Sequence, residues 1–318
     1  MGIKMNYIVL DLEWNQGTGG KRGQLKEMPF EIIEIGAIKM DSQFNVIGEF
    51  NQIICPSVYT NMHRVTQKLI QIEMEELERG RPFQEVFAEF CSWCGEDYMF
   101  CTWGPLDLIE LQRNMRYYRI PAFSDRPFPF LDVQKIFAIG FEDKTARHTL
   151  EYAVDFLNIE KDIPFHRAFS DSYYTAKVLA KCPKEALAYV SYDLFSLPRN
   201  KSQEVHVTFP DYVKHISRLF KSKDSIMADR EIMSTKCFRC QKLAKRKIKW
   251  FTPNGKHYLS VSYCPDHGYL KAKIRIKKDE NGKLYVVKTM RFITDEEVAE
   301  IVAKRNLAKQ KNMTKPAN

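Results

Sequence analysis

The spacing of apolar residues divides the chain into predicted strands and helices. Short, nearly continuous apolar runs of strand type occupy five stretches of the first 200 residues: 7–13, 31–40, 46–55, 98–102 and 130–133. Apolar residues three and four positions apart predict helices within 67–90 and over 106–118, 149–157 and 170–181. A strand meander followed by alternating helices and strands predicts an α/β sandwich built on a mixed sheet.

The last third of the chain has a different pattern. A polar stretch from Phe220 to Lys236 predicts a linker, and two Asn-Gly turns, at 254–255 and 281–282, are flanked by residues that favour strands. Thr294, with Glu297 three residues later, predicts the start of a helix. We therefore predict four segments: an α/β domain over 1–200, a helix and linker over 201–236, a small β-rich domain over 237–292, and a C-terminal helix and tail over 293–318.

Charge is distributed unevenly along the 318 residues. Residues 1–200 hold 22 Lys and Arg against 28 Asp and Glu, whereas residues 201–318 hold 27 against 12, giving net charges of −6 and +15. A strongly basic segment is typical of a chain that binds a polyanion such as nucleic acid. The sequence contains no apolar run long enough for a signal-peptide core or a membrane span, which predicts a soluble, cytoplasmic protein with no membrane partner. In that compartment the eight cysteines favour metal binding over disulfides.

Asp11 and Glu13 are two positions apart in the first predicted strand, so their side chains leave the same face. Neighbours such as Val9 and Leu12 predict burial, and two like charges in a buried strand are costly. A shared cation removes that cost, and carboxylate oxygens are the ligands that Mg²⁺ and Mn²⁺ require. The pair predicts a divalent-metal site, although an isolated Asp-x-Glu pair also suits a protein surface.

Two further aspartates and a histidine stand at the predicted ends of elements. Asp107 follows Trp103-Gly104 at a strand-to-helix turn, and Asp171 lies at the start of a helix, five residues after His166. Each aspartate also suits a helix cap, and His166 also suits a surface loop. The complete order Asp-x-Glu, Asp, His-x4-Asp resembles the DEDDh 3′–5′ exonucleases, the RNase T and DNA polymerase III proofreading-subunit superfamily, over roughly Tyr7 to Lys181.

The resemblance implies an RNase H-like fold and hydrolysis of nucleic acid from its 3′ end to nucleoside 5′-monophosphates. It implies that two Mg²⁺ or Mn²⁺ ions are held by four carboxylates: Asp11, Glu13, Asp107 and Asp171. It also implies that His166 is the general base, a role suited to a side chain whose ordinary pKa is about 6.5. Trp103-Gly104 resembles the ERI-1-type exoribonucleases and the sporulation-inhibitor exonucleases of bacteria, which favours single-stranded RNA over DNA.

Trp14 departs from the family pattern. It follows Glu13 directly, at a position beside the terminal nucleotide where many members carry a small or hydroxyl residue. We interpret Trp14 either as a stacking platform for the terminal base or as an ordinary core aromatic. The departure leaves the substrate preference open.

Two close pairs of metal-binding residues bracket the first Asn-Gly turn. Cys237 and Cys240 are separated by two residues, as are Cys264 and His267, with 23 residues between the pairs. These donors at this spacing predict one structural Zn²⁺ site of zinc-ribbon type. His257 is the alternative fourth ligand, and the competing interpretation is that the cysteines are simply buried.

The segment Leu270 to Lys277 alternates strictly between apolar and basic residues. As a strand it would bury one face and present four cations on the other: Lys271, Lys273, Arg275 and Lys277. This pattern predicts a surface that follows nucleic-acid phosphates, against the simpler interpretation of a solvated lysine face.

Together these features predict a metal-dependent 3′–5′ exonuclease that acts on single-stranded nucleic acid, with RNA favoured, and whose basic zinc ribbon helps to hold the substrate. One alternative is a non-catalytic nucleic-acid-binding or regulatory protein, and another is a DNA proofreading exonuclease, which requires a polymerase partner. The intact set of five residues favours the enzyme, because clustered carboxylates have no structural purpose in a protein that has lost its activity.

Overall fold

The computed structural model describes residues 5–19, 23–70 and 72–313. The chain divides into two compact units, Met1–Phe195 and Ser196–Asn318. Each unit is built on a six-stranded sheet of its own. Among the described residues, no helix is both long enough and apolar enough to cross a membrane.

The first unit alternates strands with helices. Its strands are β1 (Asn6–Gln16), β2 (Phe30–Met40), β3 (Val46–Ile53), β4 (Tyr98–Thr102), β5 (Pro129–Asp132) and β6 (Ser191–Tyr192). Its helices are α1 (Arg64–Ile70), α2 (Met74–Leu77), α3 (Phe83–Cys94), α4 (Leu106–Tyr117), α5 (Val133–Phe141), α6 (Leu150–Phe156) and α7 (Ala168–Lys181). A 3₁₀ helix, Lys184–Ala188, precedes β6.

The first sheet is mixed and has helices on both faces. Its order is β3-β2-β1-β4-β5-β6, with β1 antiparallel to β2 and parallel to β4. Along β1, Ile8 and Leu10 pack with α3 and α4, whereas Val9 packs on the other face with α5, α6 and α7. Because side chains alternate along a strand, Asp11 and Glu13 lie on the Val9 side, toward α7. The predicted mixed α/β fold is confirmed.

The second unit is rich in β structure. Its strands are β7 (Val205–Thr208), β8 (Tyr212–Ile216), β9 (Lys245–Phe251), β10 (Tyr258–Cys264), β11 (Gly268–Lys278) and β12 (Leu284–Ile293). Its helices are α8 (Lys223–Ala228), α9 (Arg230–Met233) and α10 (Asp295–Met313), and a 3₁₀ helix spans Lys201–Gln203. The sheet order is β7-β8-β12-β11-β10-β9, and every pair is antiparallel. This unit is the β-rich second domain that the sequence predicts.

The segment predicted as a helix and linker, 201–236, differs in the structure. It contains β7 and β8, and β8 pairs with β12, with Val213 opposite Met290. Helices α8 and α9 pack on the same sheet through Ile226 and Ile232. The partner strand of β8 is far away in sequence, so local pattern alone does not reveal it. Residues 314–318 of the predicted tail lie outside the described residues.

Candidate active site and metal centres

Acidic side chains converge at the end of β1. Asp11, Glu13 and Asp171 each present a carboxylate oxygen within 4.8 Å of the others. Asp107 joins them from the first turn of α4, where its carboxylate accepts a hydrogen bond from the backbone amide of Leu12. Strands β1 and β4 are parallel, so their carboxyl ends meet at one edge of the sheet, and α4 starts directly after β4. The structure therefore brings together the four predicted carboxylates.

The pKa values of these carboxylates are raised by burial and by the negative charges of neighbouring carboxylates. Burial, with the charges of Asp107 and Asp171, raises the pKa of Asp11 well above its ordinary value. Burial, with the charges of Asp171 and Glu34, raises the pKa of Glu13 to about 8. Burial also raises the pKa of Asp107 to about 7 and raises that of Asp171. The ionised forms are disfavoured until a cation neutralises them, so this set of oxygen donors fits Mg²⁺ or Mn²⁺.

These shifts make the stability of the metal-free protein depend on pH. Glu13 and Asp107 hold protons in the folded state up to pH values of about 8 and about 7, whereas the unfolded chain releases them near pH 4. The folded state binds more protons than the unfolded state within this window. The contribution of Glu13 and Asp107 to stability is therefore complete below about pH 4 and is lost as the pH rises to about 8.

We therefore expect the melting temperature in chelator to fall between about pH 5 and about pH 8, and added Mn²⁺ to raise it most at the higher pH. Asp11→Asn, which removes one of the crowded charges, should show a shallower fall. Thermal unfolding followed by circular dichroism measures both slopes. Equal slopes in the two proteins, or a Mn²⁺ effect that does not depend on pH, would contradict the crowding of these carboxylates.

His166 lies in an exposed loop directly before α7. Its backbone has φ of 69°, in the left-handed region that residues other than glycine rarely adopt. Its amide donates a hydrogen bond to Oδ1 of Asp171 at 3.3 Å, and this contact opposes the rise that burial causes in the Asp171 pKa. The strained loop thus places His166 beside the carboxylates.

An ion pair that the sequence pattern does not reveal holds this loop to the sheet. Glu34 of β2, the cross-strand partner of Glu13, is fully buried. Its carboxylate accepts hydrogen bonds from Nε and Nη2 of Arg167 at 3.0 Å each, and from the amide of Ala168 at 3.3 Å. Because Arg167 follows His166 directly, this pair anchors the start of α7 beside β1 and β2.

Gly36 of β2 allows α7 to approach the sheet closely. It pairs with Asp11, and a Cβ atom at this position would lie 2.1 Å from the backbone carbon of Ala168. A side chain here would therefore displace the first turn of α7, and Asp171 with it. A glycine inside a strand often marks such a close backbone approach, and it is the one sequence signal that could have located this contact.

Trp14 stands just after a β-bulge that interrupts the pairing of β1 with β2. Its ring is partly buried against the core that β1 shares with α3 and α4, with its centroid 5.5 Å from that of Phe30. Trp14 therefore contributes to the core. Its contact with a terminal base stays a prediction.

Sequence comparison identifies the family of the first unit. A model of the RNase T exonuclease family matches residues 8–179, more than half of the chain. The chain belongs to this family. This membership confirms the predicted resemblance to DEDDh 3′–5′ exonucleases and the RNase H-like fold class. It also indicates an enzymatic activity, which argues against the non-catalytic alternative.

Several solved structures resemble this exonuclease. The nuclease domain of 3′hExo, a DEDDh family member bound to rAMP, is 18% identical; the match covers 57% of this chain and 92% of that one, with a TM-score of 0.48. E. coli Exonuclease I in complex with a 5cy-dT13 oligonucleotide is 16% identical over 81% of this chain and 55% of that one, with a TM-score of 0.47. The Mg²⁺- and Mn²⁺-bound form of S. pombe Pop2p is 17% identical, and the match covers 55% of this chain and 81% of that one, with a TM-score of 0.44. Among curated proteins, none matches the chain.

The four predicted zinc ligands of the exonuclease meet in its second unit. The donor atoms of Cys237, Cys240, Cys264 and His267 all lie within 4.8 Å of one another. Cys237 Sγ is 3.6 Å from His267 Nδ1, and Cys240 Sγ is 3.6 Å from Cys264 Sγ. Ligands bound about 2.0–2.3 Å from a tetrahedral Zn²⁺ are about 3.3–3.8 Å apart, so this cluster fits the ion. His257, the alternative ligand, lies instead beside the basic residues of β11.

Strand β11 has the predicted alternation of inward and outward residues. The buried side chains are Leu270, Ala272 and Ile274. On the opposite face Arg275 and Lys277 are exposed, while Lys271 and Lys273 are half-buried. Burial, with the charges of Arg275 and Lys271, lowers the pKa of Lys273. These neighbouring cations repel one another, and a bound polyanion would relieve the repulsion.

Proposed function

We propose that this exonuclease removes nucleoside 5′-monophosphates one at a time from the 3′ end of single-stranded nucleic acid, and prefers RNA to DNA. The observation that carries the proposal is the convergence of four carboxylates and His166 at the carboxyl ends of β1 and β4. The RNA preference rests on Trp103-Gly104 before Asp107, the pair that resembles the ERI-1-type exoribonucleases. We place the activity in the cytoplasm, as the sequence predicts.

The carboxylates of Asp11, Glu13, Asp107 and Asp171 would hold two Mg²⁺ or Mn²⁺ ions, whose chemistry is to activate water and to neutralise charge on the leaving 3′ oxygen. Asp107 accepts from an amide of β1, and Asp171 accepts from the amide of His166. These side chains are therefore oriented before substrate binds, which lowers the entropic cost of reaching the transition state.

His166 is the proposed general base. The residue is exposed and its amide contacts Asp171, and its imidazole would accept the proton that an attacking water loses. The Arg167–Glu34 ion pair keeps the loop that carries His166 in place.

Replacing His166 by Ala is expected to lower kcat by about 10²–10⁴-fold, the usual contribution of a positioned general base. The carboxylates are unchanged, so the affinity for Mn²⁺ should be close to that of the wild type. Single-turnover cleavage of a 5′-labelled oligonucleotide measures the rate, and calorimetry measures Mn²⁺ binding. His148→Ala is the matched control, because His148 pairs with Glu142 at 2.7 Å. A loss smaller than about tenfold, or an equal loss in the control, would contradict the role of His166.

The second unit is proposed to hold the substrate through the basic face of β11. Cys264 is the last residue of β10, and His267 immediately precedes β11, so the cysteine–histidine cluster encloses the turn between these strands. A structural Zn²⁺ in the cluster would fix this turn and the start of the basic strand. Lys273, Arg275 and Lys277 would then contact phosphates of the single strand on the 5′ side of its 3′-terminal nucleotides.

Replacing both Lys273 and Arg275 by Ala is expected to raise KM for a long single-stranded substrate while changing kcat little, because the lost contacts bind substrate and transition state equally. The slope of the logarithm of the binding constant against the logarithm of the salt concentration should become shallower by roughly 1 to 2. Steady-state kinetics at several salt concentrations measure both. The matched control is Lys221→Ala with Lys283→Ala, which removes two exposed lysines elsewhere in the unit. An unchanged KM, or an equal rise in the control, would contradict the proposed contact.

Matched RNA and DNA substrates test the proposal as a whole. We expect kcat/KM to be higher on single-stranded RNA than on DNA of the same sequence, with nucleoside 5′-monophosphates as the products of both. An equal or faster rate on DNA would overturn the RNA preference. Dinucleotides or nucleoside 3′-monophosphates as the first products would overturn the proposed reaction.

A further inference from the structure

A second group of metal-binding side chains lies in the β-rich unit, apart from the cysteine–histidine cluster. His206 of β7 and His215 of β8 are cross-strand partners, and their rings stack with centroids 4.1 Å apart. Glu204 precedes β7 directly. One donor atom from each of these three residues lies within 4.8 Å of the other two. Neither the exonuclease reaction nor the predicted zinc ribbon uses this group.

The two oxygens of the Glu204 carboxylate have different neighbours: one contacts the guanidinium of Arg218, and the other faces the two histidines. Its Oε1 accepts hydrogen bonds from Nη1 of Arg218 at 2.7 Å and from the Arg218 amide at 3.0 Å. Its Oε2 lies 3.0 Å from Nε2 of His215 and 4.0 Å from Nε2 of His206. Arg218 therefore fixes one oxygen and turns the other toward the imidazoles, as outer groups do for the carboxylate ligands of metals.

Glu231 of α9 lies outside this group of three and approaches only His206 among them. Its Oε2 lies 2.8 Å from Nζ of Lys201, and its Oε1 lies 3.8 Å from Nε2 of His206. The separations of 3.8 and 4.0 Å between His206 and the two carboxylates are too long for hydrogen bonds. Ligands about 2.0–2.1 Å from a tetrahedral ion are about 3.3–3.4 Å apart, so the separation of His206 from Glu204 would shorten by about 0.6 Å when an ion binds.

We propose that Glu204, His206 and His215 bind a transition-metal ion of the Zn²⁺ class. Two imidazole nitrogens with carboxylate oxygens are donors that Zn²⁺ accepts, whereas Mg²⁺ and Ca²⁺ prefer sites made of oxygen alone. Because Glu204 and His206 flank the start of β7 and His215 belongs to β8, the ion would join the edge strand of the sheet to its neighbour.

The surroundings of the group restrict which ions it holds. The group borders a groove of about 710 Å³ whose lining includes His206, His215 and Glu231. Arg230 and Lys236 line the same groove. These positive charges oppose the binding of any cation, so the site selects ions that form strong bonds to imidazole over weakly held alkaline-earth ions.

Titration of the full-length, chelator-treated protein with Co²⁺ tests the proposal. Cobalt replaces zinc in such sites, and it gives an intense thiolate charge-transfer band where cysteine is a ligand but only weaker visible bands where the ligands are nitrogen and oxygen. We expect the wild type to bind one more Co²⁺ per chain than the variant that combines His206→Ala with His215→Ala. The signal lost in that variant should be a visible band, with any thiolate band retained.

His257→Ala is the matched control and should bind as many Co²⁺ ions as the wild type. His206→Ala alone is a second variant, because the His206 side chain is 53% exposed and its loss leaves no core cavity; we expect its affinity to fall at least tenfold. Circular dichroism establishes that each variant is folded. Equal Co²⁺ stoichiometry and equal visible bands in wild type and double variant would overturn the proposal. The readout is metal binding, so the result does not depend on the substrate or the reaction proposed above.

Discussion

Replacing Asp11 by Asn is expected to lower the rate of cleavage by at least about 10³-fold, because metal ions contribute several kcal/mol to the transition state and about 1.4 kcal/mol corresponds to tenfold. Asn keeps the shape of the side chain and removes the charge that holds the cations. The same change should make the metal-free protein more stable at about pH 8, since burial and like charges disfavour the ionised Asp11. A gain in stability together with a loss of activity is what a functional carboxylate predicts.

Single-turnover cleavage in Mn²⁺ measures the first effect, and urea unfolding in chelator measures the second. Asp155→Asn is the matched control, because Asp155 is an exposed carboxylate that pairs with Lys161 at the surface of the same unit. We expect the control to be unchanged in both measurements, within about 0.5 kcal/mol in stability. Activity of Asp11→Asn within tenfold of the wild type, or a clear loss of stability in chelator, would contradict the interpretation of the cluster.

Replacing Cys264 by Ser is expected to destabilise the second unit by more than about 4 kcal/mol, a loss that single substitutions rarely reach. Bound zinc contributes about 10–16 kcal/mol in zinc-finger peptides, which is comparable to the stability of a whole domain. Cys264 and Cys237 also form a small apolar cluster with Leu270, separate from the core beneath α8 and α9. Loss of the ion should therefore unfold the turn between β10 and β11 first.

Limited proteolysis locates the unfolded segment, and cobalt absorption reports the loss of thiolate coordination. The matched control is Cys91→Ser, since Cys91 belongs to a C-x2-C pair like that of Cys237 and Cys240 but lies on α3 of the first unit. We expect the control to lose about 1 kcal/mol and to keep the thiolate band. A structural zinc in the cluster would be contradicted by a thiolate band of full intensity in Cys264→Ser. It would also be contradicted if the wild-type protein were equally stable with and without chelator.

The parts of the site that could be predicted from sequence are those set by local geometry. Asp11 and Glu13 share a face because strand side chains alternate, and the C-x2-C and C-x2-H pairs are close because each spans a single turn. The resemblance to the DEDDh exonucleases then linked Asp107, His166 and Asp171, which lie far apart in the chain. The structure places these three beside β1 because the parallel strands end at one edge and α7 packs over it.

The parts that could not be predicted depend on contacts between distant residues. Glu34 and Arg167 are 133 positions apart, and nothing in the local sequence of either shows that they pair. Strand β8 has an apolar pattern too short to distinguish it from a linker until β12 supplies its hydrogen bonds. Helix α5 is different, because its buried residues Val133, Ile136 and Phe137 have a helical spacing that pattern alone could have revealed; it follows the predicted strand 130–133 directly and is not among the predicted elements.

The measurement that tests the central claim most directly is the degradation of 5′-labelled single-stranded RNA by the wild type and by Asp171→Asn, each in Mn²⁺ and in chelator. We expect the wild type in Mn²⁺ to produce a ladder that shortens from the 3′ end one nucleotide at a time. The ladder should be absent in chelator and in the variant. A ladder that persists in either of them, or label released first from the 5′ end, would contradict a metal-dependent 3′ exonuclease centre built on these four carboxylates.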